Sequence, residues 1–500
     1  MRAFLLLALF VVTVCQAQKG ETTPNNIGYD MYFNAMVVND VSCAMAAPNG
    51  RVVFTGPVTN PAMSCPDLLA WKLYIDVIEQ DFIGAWVSAD LLWPASPLPL
   101  CTAAGQKDCC TPGSATNPGY DNPSYPSRFC PFAPDGKDGK VLTQTPRPGA
   151  RRDASRKVGL PEMHGTSAVA TLPLTFYNKP MFDYVFKNSL YHSNGLMAVL
   201  NNANADLDRN SPFHRVSTSG HLTSVNFPID GWMMRSQWIS KKAALAAGLA
   251  DDPAAPFVKI LVGDRHQYNF NPDVFKPGEY WLMSFHLSTK DTPPWFWADF
   301  EHVNSPGRCD FTGCNDGYGF DAPPPVGPGL SRNFTSPATQ TTAKGQAFIE
   351  NARYASGAIT PALQQLFDQA GIGTGAQAGI RPTPQSKGWR SYRLRGSQWA
   401  YTDQAGRPSY LGSRPSNGGI VAGSSCMSCH ATAGTMAAGV SPQVLGLYIN
   451  WAGTPNPGNF NLNARPATNS LLQNDFVWGF IHTMPLQTDR MTEATSGTRK

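Results

Sequence analysis

The chain has little charge for its size. Only 15% of its 500 residues are Asp, Glu, Lys or Arg, and the net charge is +4. So small an imbalance leaves no electrostatic footprint for nucleic acid, and none is expected as a partner. With 42% hydrophobic residues the composition also excludes a disordered acidic chain. After the first residues no apolar run reaches transmembrane length, so no transmembrane segment is expected. No internal repeat is visible, and no pair among His164, His192, His214, His221 and His266 stands at a zinc-like spacing.

Glycine and proline are abundant instead. The 45 Gly and 43 Pro describe a loop-rich globular protein rather than a helical bundle. The basic cluster Arg147, Arg151, Arg152, Arg156 and Lys157 lies in a Pro/Gly stretch and reads as a solvated loop rather than a docking patch.

The first residues read as an export signal. Arg2 is the charged start, Leu5 to Val14 is apolar but for Thr13, and Cys15-Gln16-Ala17 offers a small residue for cleavage before Gln18. A lipoprotein cut before Cys15 is the weaker alternative, because Val14 is bulky for that cut. An exported chain meets oxidising conditions, and its cysteines fit that. Of eleven, Cys426 and Cys429 form a motif of their own and Cys15 lies in the signal. The remainder is even: Cys43, Cys65, Cys101, Cys109, Cys110, Cys130, Cys309 and Cys314. Disulfides are expected. Short loops favour Cys309–Cys314 and then Cys43–Cys65, and the four cysteines from Cys101 to Cys130 should pair among themselves in a connectivity left open.

The motif is Cys426-Met427-Ser428-Cys429-His430. Two cysteines three apart on one turn can each add to a haem vinyl group, and the histidine after them can bind the iron from below. A structural zinc site would need a second Cys/His pair, and a redox Cys-x-x-Cys would leave His430 unexplained. One covalent haem c is therefore the expected cofactor, held by Cys426 and Cys429 with His430 as axial ligand. For the other axial position Met484, before Pro485, is the leading candidate, with His482 as the alternative; an open site is a further reading.

Candidates for chemistry outside the motif are His286, Glu301 and His302. Tyr280 to Ser288 and Trp295 to His302 read as antiparallel aromatic strands turned at Pro293-Pro294. By alternation Trp281, Met283, Phe285 and Leu287 share one face and His286 the other, while Glu301 and His302 point opposite ways. The three therefore cannot line one pocket, and satisfied hydrogen bonds inside an aromatic core are the stronger reading. Arg393 or Arg395 could pair with a haem propionate.

Other segments read as follows. Leu69 to Val77, Pro180 to Leu200, Thr342 to Arg353, Pro361 to Ala370 and Leu471 to His482 are helix candidates; Arg51 to Thr55 and Pro256 to Val262 are strand candidates. A hairpin is expected around Asp403 to Gly406. The Pro-rich stretch from Asp321 to Leu330 is a linker signal.

Phe227-Pro-Ile-Asp-Gly-Trp232 with Trp238, Phe285-His-Leu287 with Lys290 and Pro293, Trp295 to His302, Ser424 to His430 and Asp475-Phe-Val-Trp478 together resemble a family of exported bacterial c-type cytochrome proteins, mostly uncharacterised. The resemblance spans about residues 160 to 490 and implies a single haem domain after a β-rich one, without a secure reaction. The expectation is thus an α+β chain: a signal at 1–17, a β-rich disulfide-containing domain at 18–335, and a mainly helical cytochrome c-like haem domain at 336–500. Its expected role is electron transfer through Fe(II)/Fe(III) cycling in the periplasm or outside the cell. The partner would be a redox protein or a small electron donor or acceptor. The alternative is a peroxidase- or oxidase-like haem enzyme with an open iron position.

Overall fold

A computed structural model describes residues 43–56, 58, 60–106, 108–111, 129–133, 171–205, 221–263, 274–304, 316, 318–321, 358–400, 411, 426–431, 433–436, 439–440 and 471–487. The signal segment, the Cys309–Cys314 pair, the 147–157 basic cluster, the proline-rich linker after Asp321, the 342–353 helix and the 403–406 turn lie outside the described residues.

A seven-stranded antiparallel sheet dominates. In chain order its strands are β1 (Val87–Ser88), β2 (Leu172–Tyr177), β3 (Trp232–Ser240), β4 (Lys259–Val262), β5 (Gly278–Thr289), β6 (Phe296–His302) and β7 (Tyr392–Gln398). Their spatial order is β7-β6-β5-β3-β2-β1, with β4 paired to the start of β5. A smaller sheet joins β8 (Gly434–Met436), β9 (Gly439–Val440) and β10 (Leu471–Gln473).

Helix α1 (Pro66–Glu79) starts with a proline, as first turns tolerate, and is buried on nearly every side. It lays Trp71 and Tyr74 on one sheet face, with ring centres 5.1 Å and 4.7 Å from Phe300. Phe285, Leu287, Phe296 and Leu394 belong to the same core. Two further helices follow β2: α2 (Lys179–Lys187), capped by the Asn178 side chain, and α3 (Ser193–Ala205). The single helix expected over 180–200 is thus broken, where Ser189 takes a left-handed φ of 57°.

A bulge changes the expected alternation in β5. Gln237 of β3 faces Ser284, but the next residue, Trp238, faces Leu282, so Met283 is an extra residue. Phe285 and Leu287 therefore join the α1 core, whereas Trp281 and Met283 pack with Phe257 in a separate cluster.

The mainly helical cytochrome-like domain expected over 336–500 is contradicted. Among the described residues that stretch supplies β7, β8, β9 and β10, and its α-helices are only α4 (Pro361–Gln369) and the single turn α5 (Cys426–His430). β7 belongs to the main sheet, paired with β6. Leu471 to His482 is not a helix either. Asp475 and Phe476 have φ of 47° and 65°, which no right-handed helix admits, so β10 is followed by a turn and a 3-10 segment at Trp478–His482. Apolar residues at helical spacing suggested a helix there; the hydrogen bonds of β10 to β8 and the side-chain anchoring of Asp475 override that local preference.

Disulfides join Cys43–Cys65, Cys101–Cys109 and Cys110–Cys130. The middle four cysteines do pair among themselves. Among the described residues no helix is long and apolar enough to cross a membrane.

Candidate functional site

The second face of the main sheet carries polar side chains under cover. His286 of β5 lies directly across from Asp299 of β6, and Ser284 lies across from Glu301. All four are buried. Strand alternation also puts Trp297 on this face, beside its cross-strand partner Gln398 of β7.

Helix α5 sits on that row. The Met427 backbone N–H donates to the Gln398 Oε1 at 3.1 Å, which ties the turn to the sheet. The buried Cys426 sulfur lies 3.4 Å from the His286 Nδ1. The His430 ring centre is 4.5 Å from that of Trp297 and 6.2 Å from that of His286, with the two imidazole planes 24° apart. Cys429 lies on the same turn, but its side chain is outside the described residues.

Each of the two histidines has one nitrogen committed. His430 Nδ1 is 2.7 Å from the Phe476 carbonyl oxygen. A carbonyl only accepts, so Nδ1 carries the proton and Nε2 the lone pair. Burial, with the neighbouring His286 next in importance, pushes the His430 pKa down to about 3, so the ring is neutral at ordinary pH. His286 Nδ1 is hydrogen-bonded to the Asp299 carboxylate, and its buried Nε2 has no partner. Arg235, the cross-strand neighbour of His286 on β3, is exposed, and its charge also lowers the His430 pKa.

The Phe476 carbonyl is held by a turn. Asp475 and Phe476 both adopt left-handed backbone conformations, which are strained for such residues. Three donors secure Asp475: the Phe227 N–H at 2.7 Å, the Trp295 Nε1 at 3.3 Å and the Lys290 ammonium. Burial raises the Asp475 pKa, and the Lys290 hydrogen bond opposes that rise. Asp475 lies 185 residues after Lys290 and 180 after Trp295, so local pattern gave no contact between them, although all three stand in the segments that carry the family resemblance.

The remaining candidates stand elsewhere. His302 is on the α1 face of β6. Its ring stacks on Phe257 with centres 3.6 Å apart, its Nδ1 accepts from the Asn304 N–H at 3.1 Å, and its Nε2 lies 3.4 Å from the Pro256 carbonyl. Burial pushes its pKa down to about 3. Glu301 is 3.4 Å from Arg395 Nε in a buried ion pair. Arg393 donates to the carbonyls of Arg390 and Tyr392. The His482 ring centre is 6.3 Å from that of Trp93, and Met484 bridges to His192 through backbone. Trp93 packs on Tyr177 of β2, three strands or about 14 Å across the sheet from Trp297.

One grouping here is close enough to hold a metal ion. Sulfur, carboxylate and imidazole ligand atoms of Cys426, Asp299 and His286 lie within 4.8 Å of one another. It is not built as a Cys-His-Asp proton relay. Cys426 and Asp299 both approach the same nitrogen of His286, whereas a relay needs one on each. Asp299 and Trp297 were missed by sequence reasoning; the strand pair around Pro293-Pro294 is the signal that would have put Asp299 opposite His286. No family model, curated protein or solved structure matches the chain.

Proposed function

We propose that this is an exported c-type cytochrome, carrying one haem bound covalently through Cys426 and Cys429 with His430 on the iron. The single observation that carries the reading is the state of His430. It sits directly after the paired cysteines on one helical turn, is neutral, and has Nδ1 anchored to a backbone carbonyl so that Nε2 holds a free lone pair. Metal-bound histidines have this second hydrogen bond for the same reason: it selects the tautomer and orients the ring. When bound, the haem supplies one-electron chemistry between ferrous and ferric iron.

The protein's own residues do the rest. Trp297 packs against the His430 ring, the Phe476 carbonyl holds its proton, and Gln398 fixes the turn to the sheet. The disulfides suit an oxidising compartment, which supports a periplasmic or secreted location. The partner is a redox protein or a small electron donor or acceptor. The direct test is a haem stain on a denaturing gel after expression with a c-type maturation system. Stain that stays with the chain, and is lost in the Cys426→Ala/Cys429→Ala variant, supports the reading; stain that leaves the wild-type chain rejects it.

A second reading has its own observation. The buried Cys426, His286 and Asp299 atoms would suit a single thiolate-binding metal ion if no haem were attached. Protein with stoichiometric zinc or iron, no haem spectrum and a Cys426 thiol protected from alkylation would favour it.

A further inference from the structure

Two acceptors meet one nitrogen at the centre of the polar face. The Cys426 sulfur, 3.4 Å away, and the Asp299 carboxylate both approach Nδ1 of His286. An N–H bond is directed at one acceptor, so this nitrogen serves both poorly. A cation in place of its proton can serve all three. Around a tetrahedral ion, metal–sulfur and metal–nitrogen bonds of about 2.3 and 2.0 Å set sulfur and nitrogen about 3.5 Å apart, close to their separation here. All three side chains are buried, and their ligand atoms lie within 4.8 Å of one another. A thiolate and a carboxylate together neutralise a divalent ion, as a buried site requires. Haem iron does not compete for this histidine. The Trp297 ring, with its centre 4.5 Å from that of His430 and 5.3 Å from that of His286, fills the space a macrocycle would need between the two imidazoles.

We propose that, until haem is attached, Cys426, His286 and Asp299 hold one zinc-class divalent ion, and that the ion must leave before Cys426 can form its thioether. The first half deepens the metal-ion reading above, and the second rests on the haem reading. The ion takes the place of the Nδ1 proton, and Asp299 exchanges its hydrogen bond for a bond to the metal. His286 then carries its proton on Nε2. The buried Ser288 hydroxyl, likewise without a partner, offers an acceptor two residues along on the same strand face. Three protein ligands leave the fourth position to water. In attachment the Cys426 S–H adds across a vinyl double bond, sulfur to one carbon and hydrogen to the other, with no electrons supplied or removed. A metal-bound sulfur has no such hydrogen, so ion and proton must exchange first. The thioether that results is uncharged and no longer offers the ion a thiolate.

The experiment uses the full chain expressed without a c-type maturation system, purified anaerobically, stripped with a chelator and titrated with cobalt(II). One equivalent should bind with the visible bands of tetrahedral cobalt and a near-ultraviolet sulfur-to-cobalt band, and zinc should displace it. Cys426→Ser should lose the sulfur band. His286→Ala and Asp299→Ala should each weaken binding by about 100-fold or more, the upper end of what second-shell changes cost. Asp299→Cys guards against mere misfolding: it should keep the ion and gain sulfur-to-cobalt intensity. A wild type without the sulfur band, or an unchanged titration in His286→Ala and Asp299→Ala, would overturn the ion site. The exchange step is read by a haem stain after attachment of ferrous haem to the stripped chain in vitro. Excess zinc should slow attachment in wild type far more than in His286→Ala. Equal slowing in both would overturn the exchange step and put the inhibition on the Cys-x-x-Cys-His turn alone. A stripped chain that takes no stain even without zinc rejects the haem reading, and the exchange step with it, while the cobalt titrations still decide the ion site.

Discussion

His302 and His286 lie on neighbouring strands of one sheet, both buried, yet they are opposite in kind. His302 is on the face packed by α1. Backbone groups meet both of its nitrogens and an aromatic ring covers it. His286 is on the other face, with a carboxylate on one nitrogen and nothing on the second. The comparison extends to the two faces as a whole. One is a conventional core of Phe285, Leu287, Phe296, Phe300 and Leu394 under Trp71 and Tyr74. The other buries His286, Asp299, Glu301 and Arg395 in the same strands. Burying polar groups costs stability unless they are partnered, so a sheet that does this on one face carries its stability on the other.

The largest effect should come from the apolar face. Phe300→Ala removes a ring that meets Trp71, Tyr74 and Phe285, and is expected to cost about 3–5 kcal/mol in denaturant unfolding. In protein loaded with haem as proposed, the spectrum of the folded fraction should be unchanged. A changed spectrum with little loss of stability would break the division between the faces.

On the polar face, Arg395→Met should cost about 3 kcal/mol by leaving Glu301 buried without its cation. Adding Glu301→Leu should recover most of that loss. If the double variant is as unstable as the single one, the pair is contributing packing rather than charge compensation.

His302 supplies a pH test of comparable size at its limit. Its folded pKa is about 3, against about 6.5 when unfolded, so the unfolded state binds the proton more readily. Stability is therefore full above about pH 6.5 and declines as pH falls toward 3. His302→Gln should flatten the acid limb of a stability-against-pH curve. An equally steep limb in the variant would assign the acid sensitivity to other groups.

The smallest expected change is Asp475→Asn. It weakens the Lys290 contact and the turn that aims the Phe476 carbonyl at His430, and should cost about 1–2 kcal/mol. Its sharper readout is a shift in the potential or ligand-field spectrum of the loaded protein. No shift would mean that the carbonyl keeps its position without this anchor.

A pattern confined to one short stretch was readable from the chain. The spacing of Cys426, Cys429 and His430 lies within one helical turn, and the turn forms where the motif stands. The antiparallel pair β5–β6 was legible from two aromatic runs around Pro293-Pro294, and strand alternation correctly set Glu301 and His302 on opposite faces. The Cys43–Cys65 pairing followed from a short separation, and the four cysteines from Cys101 to Cys130 were expected to pair among themselves, but the fold chose Cys101–Cys109 and Cys110–Cys130.

What the tertiary structure decided is of another kind. The Met283 bulge, the Asp475–Phe476 turn and the joining of β7 to the main sheet depend on partners 45 to 250 residues away in the sequence, roughly the range that local pattern cannot reach. The helix suggested by Leu471 to His482 failed because hydrogen bonds to β8 and to the Phe227 N–H outweigh a propensity of a few tenths of a kcal/mol per residue. The sequence alone set Cys426, Cys429 and His430 within one turn of each other. Only the fold brought His286, with Asp299 behind it, to 6.2 Å from His430, because that meeting joins the middle of a sheet to a turn 140 residues later.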